Sequence, residues 1–563
     1  MNAAAFPPIE DLEGDDDRDG GPRLIREAAP GRTRLRVLMI GFLVLFAGLG
    51  ARAVQLSLAG GAHTKTAQAA AHLAHRADLM DRNGVLLATT VPAFTLVAVP
   101  HDVWDAPAVA HTLAAHLPGL DEADTLARLK QSKSVVYLKR DLTAHQRDEI
   151  FKLGLPGVDF EDQDRRVYPQ GLMAAHALGG ANARMQGDGG VELGLDKLIQ
   201  RSGDANEPLR LALDVRIQHA LEIELAGTVG TTGSQGGAGI ILDGRTGEVL
   251  AIASAPSYDP NSPPADPKSK ARLDRAAGAL YEMGSTLKPF TVAMALDAGQ
   301  TKPDEVFNLA HPLELQGFEI KDLEQMGAAT PLPKALAASS NIMAATLAMR
   351  VGAQRQMETF TKLGFNAGAG LELPQSERPV LPHDQSPLSV AVMGYGHGMA
   401  MTLASLAGAY TVFTNDGART TPTLLAHAQG DAVRKVQVFT PQSTRQVLAM
   451  MRQVVTTGTG KRANLAGLDM AGKTGSADKP EKGGYSSDRM LSSFAAIFPA
   501  HDPHYVMVVA LDEPKRVGKG AVTGGAVAAP LAAHIAARIA PLLNVSDDGL
   551  SDAGDTSDEG EDQ

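Results

Sequence analysis

The sequence contains no cysteine among its 563 residues. This absence excludes disulfide bonds, thiolate catalysis, and zinc or iron–sulfur sites built on cysteine. Aromatic residues make up only 4% of the chain, and the net charge is −12. Because no basic stripe with interleaved aromatics is present, a nucleic-acid partner is not predicted. The histidines form no His-Glu-x-x-His or comparable ligand set, so we expect neither a metal nor another cofactor.

Positive charge is missing from the C-terminus, where residues 547–562 carry acidic side chains and no Lys or Arg. Such blocks are usually solvated, so residues 544–563 are predicted to be an acidic disordered tail. The remaining composition is typical of folded protein, with 44% hydrophobic residues. The length favours two or more globular units.

An uncharged apolar run extends from Val37 to Ala51 and is followed by Arg52. If Arg52 snorkels, the usable segment reaches the roughly 20 residues that span a bilayer. A cluster of arginines lies shortly before the run: Arg26, Arg32, Arg34 and Arg36. They predict a cytoplasmic tail over residues 1–36, a membrane anchor over 37–56, and an extracytoplasmic remainder. A cleaved signal peptide is the alternative, although the long segment before the run favours an uncleaved anchor.

The remainder divides into a first unit over residues 57–225 and a second over 226–543. In the first, Asp81-Arg82-Asn83-Gly84 is typical of a tight turn between strands, and residues 101–155 are predicted to be mainly helical. We interpret the glycine-rich stretch 226–239 as a loop. Strands at both ends of the second unit, with helices between them, predict an α+β fold in which the early and late strands pair under a helical layer.

The first candidate site is Ser285-Thr286-Leu287-Lys288. A serine hydroxyl is a poor nucleophile until a base removes its proton, and a lysine three residues later lies one helical turn away. Gly284 allows a tight turn before a predicted helix over 289–297, so Ser285 should lie near a helix N-terminus that stabilises an oxyanion. Lys288 can act as the base only if burial or a nearby cation lowers its pKa.

This pattern alone does not decide the nucleophile, because Ser476-Ala477-Asp478-Lys479 matches it as well. A helix cap with a surface lysine also produces the pattern. Two further motifs in the second unit are Ser339-Ser340-Asn341, which lies between helical stretches and by itself is typical of a helix cap or an Asx turn, and Lys473-Thr474-Gly475-Ser476. A second hydroxyl can relay a proton, an amide can orient a substrate, and a lysine on an edge strand can bind a carboxylate.

In this order the three motifs form the signature of serine β-lactamases and penicillin-binding proteins. The chain resembles the class B penicillin-binding proteins, transpeptidases that cross-link peptidoglycan. The resemblance covers about residues 35–540 and includes YEMGSTLKPF, AGKTGSADK, RADLMDRNGVLLATT and RRVYPQGLMAAHALGG. It implies an N-terminal membrane helix, an elongated mixed α/β pedestal domain, and a C-terminal transpeptidase fold with an antiparallel sheet between helical layers.

The resemblance also implies a catalytic set of Ser285, Lys288, Ser339, Asn341 and Lys473. Ser285 would attack the carbonyl between the two terminal D-alanines of a stem peptide and expel D-alanine. Lys288 would be the base, and Ser339 and Asn341 would serve proton transfer and orientation. An amine of a neighbouring strand would then resolve the acyl-enzyme, and β-lactams would acylate the same serine.

Substrate binding is implied for Thr474, Gly475 and Ser476, which with Lys473 would hold the terminal carboxylate. Gly475 would let the substrate backbone approach closely. The backbone N–H groups of Ser285 and Ser476 would form the oxyanion hole. The chain departs from the common family pattern at Ser476, where threonine is more usual, and one residue before Gly284, where Met replaces Pro.

Within class B, the arginine-rich tail and the ending YVMVVALDEPK favour the septal branch of the bacterial inner membrane over the elongation branch. That branch implies a division glycosyltransferase and other divisome membrane proteins as partners, besides stem peptides and β-lactams. A serine β-lactamase or a non-catalytic division scaffold would also carry these motifs. In the pedestal, Arg166 and Glu192 are interpreted as a structural ion pair between the units, and Arg82 as part of a turn.

Overall fold

The computed structural model describes residues 76–545 apart from 132–133, 267, 429, 482–483 and 516–520, together with Arg36, residues 39–52 and Gln55. The predicted cytoplasmic tail up to residue 35, the segment 56–75 and the acidic tail beyond residue 545 therefore lie outside the described residues.

The described part of the predicted anchor is a helix, Met39–Arg52, which belongs to a compact unit separate from the rest of the chain. Its apolar side chains, including Leu43 and Phe46, are exposed on all sides. Among the described residues one helix, Gly524–Leu543, is long and apolar enough to cross a membrane, whereas Met39–Arg52 is shorter; half of the apolar stretch in Gly524–Leu543 is buried. Leu531 and Ile535 of that helix lie in the protein core, so we assign it to the core and not to a membrane.

The other compact unit is Leu73–Gln563, and we call its N-terminal part, up to Arg210, the pedestal. The pedestal contains a five-stranded sheet in which the fourth strand also pairs with the second. Asp81 shapes the predicted turn between the first two strands, since its carboxylate accepts the N–H groups of Asn83 and Val85 at 2.8 Å each. Residues 101–155 are mainly helical, as predicted, and they also contain the strand β3 Val136–Leu142, in which Leu138 and Leu142 are buried. The sheet strands are β1 Leu79–Met80, β2 Leu86–Ala98, β3 Val136–Leu142, β4 Val158–Val167 and β7 Leu209–Arg210, and the intervening elements are α1 Ala106–His116, α2 Glu122–Gln131, α3 Ala144–Lys152, α4 Ala175–Leu178, β5 Gly180–Ala181, β6 Gly187–Gly189, α5 Gly190–Gly194 and α6 Asp196–Asp204.

A buried ion-pair network holds the pedestal together. Glu192 of α5 accepts hydrogen bonds from Arg166 of β4 at 2.7 Å and from the Arg76 guanidinium, and the side chains of all three residues are at most 1% exposed. The predicted Arg166–Glu192 pair is thus present, but it joins two elements of the pedestal. The prediction that it links two units was wrong.

The C-terminal part is built on an antiparallel sheet with strand order β16-β17-β18-β8-β9. The earliest strand β8 pairs directly with the last strand β18, which confirms the predicted meeting of early and late strands. One face packs on α7 and α15 and the other on α8, α13 and α14, so the sheet lies between two helical layers as the α+β fold requires. The five strands are β8 Gly236–Asp243, β9 Val249–Ala255, β16 Ala471–Glu481, β17 Gly484–Phe498 and β18 Tyr505–Asp512, and the helices are α7 Val215–Thr232, α8 Lys288–Asp297, α9 Leu332–Ala337, α10 Asn341–Val351, α11 Ala353–Lys362, α12 Pro387–Met393, α13 Leu403–Tyr410, α14 Pro441–Thr456 and α15 Ala529–Ile539.

Short pairs of strands complete the catalytic part. They are β10 Val306–Phe307 with β13 Thr330–Pro331, β11 Leu313–Leu315 with β12 Phe318–Ile320, and β14 Ala418–Thr420 with β15 Lys435–Gln437. The hairpin β11–β12 stands beside the N-terminus of α10. It therefore borders the region in which the sequence motifs meet.

The glycine-rich stretch 226–239 was wrongly predicted to be a loop. Helix α7 continues to Thr232, and β8 already begins at Gly236. A Cβ on Gly237 would lie 2.8 Å from Leu225 and 2.9 Å from Val229. The glycines of β8 thus let the last turns of α7 pack directly on the sheet, and this tertiary contact outweighs the low helix propensity of Gly227 and Gly230.

Candidate active site

Ser285 lies in a tight 3₁₀ turn, Gly284–Leu287, which leads directly into α8. Tyr410 donates a hydrogen bond from its hydroxyl to the carbonyl of Thr286 at 2.6 Å, and Gly284 donates to the carbonyl of Gly396 at 3.2 Å. The turn is therefore fixed from behind by buried groups. This geometry places Ser285 at the start of a helix, as the sequence predicted, with its side chain partly exposed.

Lys288 is fully buried at the first position of α8. Its Nζ donates to the Ser339 carbonyl at 2.5 Å, to the Ser339 hydroxyl at 3.1 Å, and to Asn341 Oδ1 at 2.7 Å. Burial holds the pKa of Lys288 well below its ordinary value, the charge of Lys473 lowers it further, and the carboxylate of Asp322 partly opposes both. A neutral amine is thereby available one turn after Ser285.

Ser339 lies between α9 and α10, as predicted for its motif, so the helical stretch predicted over 334–351 is interrupted there. Its φ of 65° is in the left-handed region, which costs about 1–2 kcal/mol for a residue with a Cβ. The break turns both the carbonyl and the hydroxyl of Ser339 toward Lys288. The local strain therefore builds the contact between the first two motifs.

Asp322 positions the second motif and was missed by the sequence interpretation. Its carboxylate accepts hydrogen bonds from the Ser340 hydroxyl at 2.7 Å and from the backbone N–H groups of Asn341 at 2.5 Å and Ile342 at 3.0 Å. The carbonyl of Lys321 accepts from the Asn341 amide at 2.9 Å, which leaves the amide oxygen facing Lys288. No local pattern marks Asp322, since only the tertiary fold brings it to the N-terminus of α10.

Lys473 projects from β16, the edge strand of the sheet, and is fully buried. Its Nζ donates to the Ser339 hydroxyl at 2.9 Å and to the Thr474 carbonyl at 3.0 Å. Burial lowers the pKa of Lys473 to about 7. The Ser339 hydroxyl therefore connects Lys288 and Lys473, and the three predicted motifs meet at one oxygen atom.

The rest of the third motif is held by contacts that the sequence did not indicate. The hydroxyls of Thr474 and Thr459 lie 2.7 Å apart, and the Ser476 hydroxyl accepts the Gly524 N–H at 2.9 Å. A Cβ on Gly475 would lie 2.3 Å from the Ser493 hydroxyl and 2.8 Å from the Met283 carbonyl. Close packing within the protein therefore accounts for glycine at this position, independently of the predicted approach of a substrate backbone.

The competing match, Ser476 to Lys479, lies on a β-strand and not on a helix. Lys479 instead forms ion pairs with Asp512 at 2.5 Å and with Glu513 at 2.9 Å. Because these two carboxylates hold the Lys479 ammonium, Lys479 is not available as a base for Ser476. The structure therefore separates the two sequence matches.

The described residues contain no group of three or more His, Asp or Glu side chains that could hold a metal ion. The chemistry available at the site is that of a serine hydroxyl, two buried lysines of lowered pKa, a bridging hydroxyl and an amide. Such a set can activate a nucleophile and move a proton without further groups.

Comparison with known proteins places this geometry in a family context. The penicillin binding protein transpeptidase domain matches residues 237–537, and the penicillin-binding protein dimerisation domain matches residues 71–199. The probable peptidoglycan D,D-transpeptidase FtsI of Caulobacter vibrioides is 37% identical, over 91% of this chain and 89% of that protein. The peptidoglycan D,D-transpeptidase FtsI of Escherichia coli is 30% identical, over 84% of this chain and 85% of that protein.

Among solved structures, penicillin binding protein 3 from Mycobacterium tuberculosis, complexed with aztreonam, matches with a TM-score of 0.66 and 26% identity. The match covers 84% of this chain and 96% of that one. Both the pedestal and the catalytic part are therefore shared with that protein.

Proposed function

The chain belongs to the class B penicillin-binding proteins, the peptidoglycan D,D-transpeptidases with a dimerisation domain before the transpeptidase domain, and from this we propose that it cross-links peptidoglycan of the division septum through Ser285. One observation carries the proposal for the site. The Ser339 hydroxyl accepts hydrogen bonds from both Lys288 and Lys473, and Lys288 follows Ser285 by one turn.

Acylation begins with attack of the Ser285 hydroxyl on the carbonyl between the two terminal D-alanines. Lys288 takes the proton, since its burial keeps the amine neutral. The backbone N–H groups of Ser285 and Ser476 stabilise the oxyanion. Once Lys288 has taken this proton it is an ammonium group, and both lysines donate to the Ser339 oxygen, so the Ser339 hydroxyl hydrogen can pass to the departing D-alanine nitrogen while Lys288 returns a proton to Ser339.

Recognition of the terminal carboxylate falls to Lys473 with the hydroxyls of Thr474 and Ser476. The charge of a protonated Lys473 and the exposed edge of β16 suit an extended peptide that ends in a carboxylate. Asn341, held by Asp322 and Lys321, orients the peptide amide. The acyl group then passes to an amine of a neighbouring strand, which forms the cross-link, and β-lactams acylate Ser285 in place of the stem peptide.

Mass spectrometry of the intact protein after treatment with benzylpenicillin tests this function. We expect one long-lived adduct that maps to Ser285, that is absent from Ser285→Ala, and that persists in Ser476→Ala. Rapid turnover of the antibiotic would favour a β-lactamase instead. An adduct on Ser339 or Ser476 would overturn the assignment of the nucleophile, and normal septation supported by Ser285→Ala would favour a scaffold.

We further propose that residues 37–56 anchor the chain in the bacterial inner membrane, with residues 1–36 in the cytoplasm, a pedestal over 57–225 and a periplasmic transpeptidase unit over 226–543. The exposed apolar surface of the helix Met39–Arg52 supports the anchor, because water disfavours a helix that is apolar on all sides. A division glycosyltransferase and other divisome membrane proteins are the partners we expect. Protease accessibility of a tag at each end, in spheroplasts, tests the orientation.

A further inference from the structure

A groove of about 360 Å³ opens between the hairpin β11–β12 and the start of α12. The turn of the hairpin is tied to the helix, since Gln316 accepts the N–H of Leu388 at 3.2 Å. The groove is lined by Phe318, Ile320, Asp384, Leu388, Val392 and His397. None of these side chains has a role in the acylation described above.

Both walls of the groove continue into segments that hold the catalytic groups. On one side Ile320 is followed by Lys321 and Asp322, which fix Asn341. On the other side Gly396, next to His397, packs so closely on the nucleophile turn that a Cβ would lie 2.1 Å from the Gly284 carbonyl. The wall of the groove at His397 is therefore adjacent to the turn that carries Ser285.

The chemistry of the groove is apolar with a negative charge. Phe318 is 62% exposed beside Ile320 and Val392, which gives a surface suited to methylene groups. Hydrogen bonds from Ser386 hold the pKa of Asp384 below its usual value, so its carboxylate is ionised.

The inner end of the groove has the same sign of charge. Glu282 lies 3.9 Å from His397, on the chain just before the nucleophile turn. Burial is the main cause that lowers the pKa of His397 to about 4, so this ring is neutral and does not repel a cation. An aliphatic arm that ends in a primary amine complements these features.

We propose that this groove binds the acceptor in the transfer reaction, by its aliphatic side chain, and delivers the terminal amine to the acyl group on Ser285. The inference rests on the proposed function. In the transfer step the amine nitrogen forms an amide bond with the acyl carbon while the ester bond to Ser285 Oγ breaks. The acceptor's ammonium group first releases one proton to solvent, and the proton that the neutral amine loses as the amide bond forms passes to Ser285 Oγ, with neutral Lys288 as the carrier.

Partition of one acyl-enzyme between two products tests the groove directly. The full-length protein in detergent is acylated with a D-alanyl thioester, and the ratio of aminolysis to hydrolysis is measured with two acceptors, a long-armed diamino acid amide and glycinamide. Both products arise from the same intermediate, so the ratio is independent of the rate of acylation. We expect Phe318→Ala and Asp384→Lys to lower the ratio for the long-armed acceptor by roughly tenfold, the scale of one lost side-chain contact.

Leu323→Ala is the matched control, since Leu323 is an exposed apolar residue that follows the same hairpin but lies outside the groove. It should leave both ratios unchanged, and glycinamide should be nearly insensitive to all three variants. An unchanged ratio in Phe318→Ala and Asp384→Lys, or an equal fall for both acceptors, would overturn the inference while the proposed function stands. If the wild-type protein forms no acyl-enzyme, the proposed function fails and the inference fails with it.

Discussion

At the scale of single residues, the site depends on how two buried lysines share one hydroxyl. Ser339 Oγ lies 3.1 Å from Lys288 Nζ and 2.9 Å from Lys473 Nζ. Two ammonium groups at such a separation repel each other strongly where water is excluded. The structure therefore favours a neutral Lys288 as base beside a protonated Lys473 as carboxylate partner.

The pKa of about 7 for Lys473 predicts an alkaline limit to acylation. Lys473 is charged below that pKa and loses its charge as the pH rises through it, so carboxylate recognition by the free enzyme weakens at higher pH. We expect the second-order rate constant for benzylpenicillin to fall about tenfold per pH unit on the alkaline side. In Lys473→Arg the charge persists, and the alkaline fall should disappear even if the rate is lower throughout. A flat profile in the wild type would contradict this role.

The charge of Asp322 predicts a shift of the acidic limb of the pH profile for acylation. Its negative charge raises the pKa of Lys288 against the effects of burial and Lys473. Asp322→Asn removes that charge, so Lys288 should lose its proton at a lower pH and the acidic limb of the acylation profile should move to lower pH. Ser340→Ala is the control, because it removes one hydrogen bond to Asp322 and keeps the charge. A purely structural role would lower the rate in both variants without moving the limb.

The sequence predicted the motif residues that carry chemistry but not those that position them. Ser285, Lys288, Ser339, Asn341 and Lys473 stand in short patterns whose chemistry is local. Asp322, Thr459 and Tyr410 act across large separations in the chain, through a carboxylate, a hydroxyl pair and a carbonyl contact. Nothing in a local pattern encodes those distances, so only the fold reveals them.

At the scale of elements, the break between α9 and α10 is a strained junction. Ser339→Gly should relieve the left-handed backbone at φ 65°, whereas Ser339→Ala should not. We expect Ser339→Gly to be more stable than Ser339→Ala by roughly 1 kcal/mol in urea unfolding. Both variants lose the bridging hydroxyl and should acylate slowly. Equal stability of the two would show that the backbone conformation carries no strain.

The π-helical turn Gly524–Ala528 packs against the motif Lys473-Thr474-Gly475-Ser476. A Cβ on Gly524 would lie 2.2 Å from the Gly475 carbonyl and 2.4 Å from the Ser493 carbonyl. Gly524→Ala should therefore displace β16, slow acylation and cost about 1–3 kcal/mol of stability. Gly227→Ala is the control, since nothing lies within 4 Å of its Cβ in α7. It should stabilise the protein by about 0.5–1 kcal/mol in thermal unfolding.

The ends of helices and strands could be predicted from the sequence where the local residue pattern and the tertiary packing favour the same structure. The turn after Asp81 and the helix start after Ser285 were placed correctly. The end of α7 was not, because its glycines indicate a loop while Leu225 and Val229 gain their packing from β8. Ser340 does give a local signal for the break, since its hydroxyl caps α10, but the pattern does not reveal the left-handed backbone that turns Ser339 toward Lys288.

At the scale of the whole molecule, the pedestal and the catalytic part share one hydrophobic core. The same cluster contains Leu79 and Leu87 of the pedestal sheet, Leu242 of the catalytic sheet and Phe290 behind the nucleophile. The sequence predicted two units joined by a linker. The continuous core instead couples them, so the catalytic site and the pedestal should unfold together.

Glu192→Gln, a substitution in the pedestal, tests that coupling. It leaves the buried Arg76 and Arg166 without full compensation, which should cost about 3–5 kcal/mol. We expect one unfolding transition, at lower denaturant, in which fluorescent penicillin binding and far-UV circular dichroism are lost together. Asp416→Asn breaks the exposed pair with Arg445 and should cost less than about 1 kcal/mol. Two separate transitions would show that the parts fold independently.

The pairing of β8 with β18 also sets the order in which the protein can mature. A ribosome makes β8 early and β18 late, and β16 reaches β8 only through β17 and β18. A nascent chain that ends before residue 505 therefore has both Ser285 and Lys473 but no sheet to bring them together. Labelling by a β-lactam consequently reports finished chains alone, and a premature stop codon or a proteolytic cut before the last strand abolishes labelling without touching a motif.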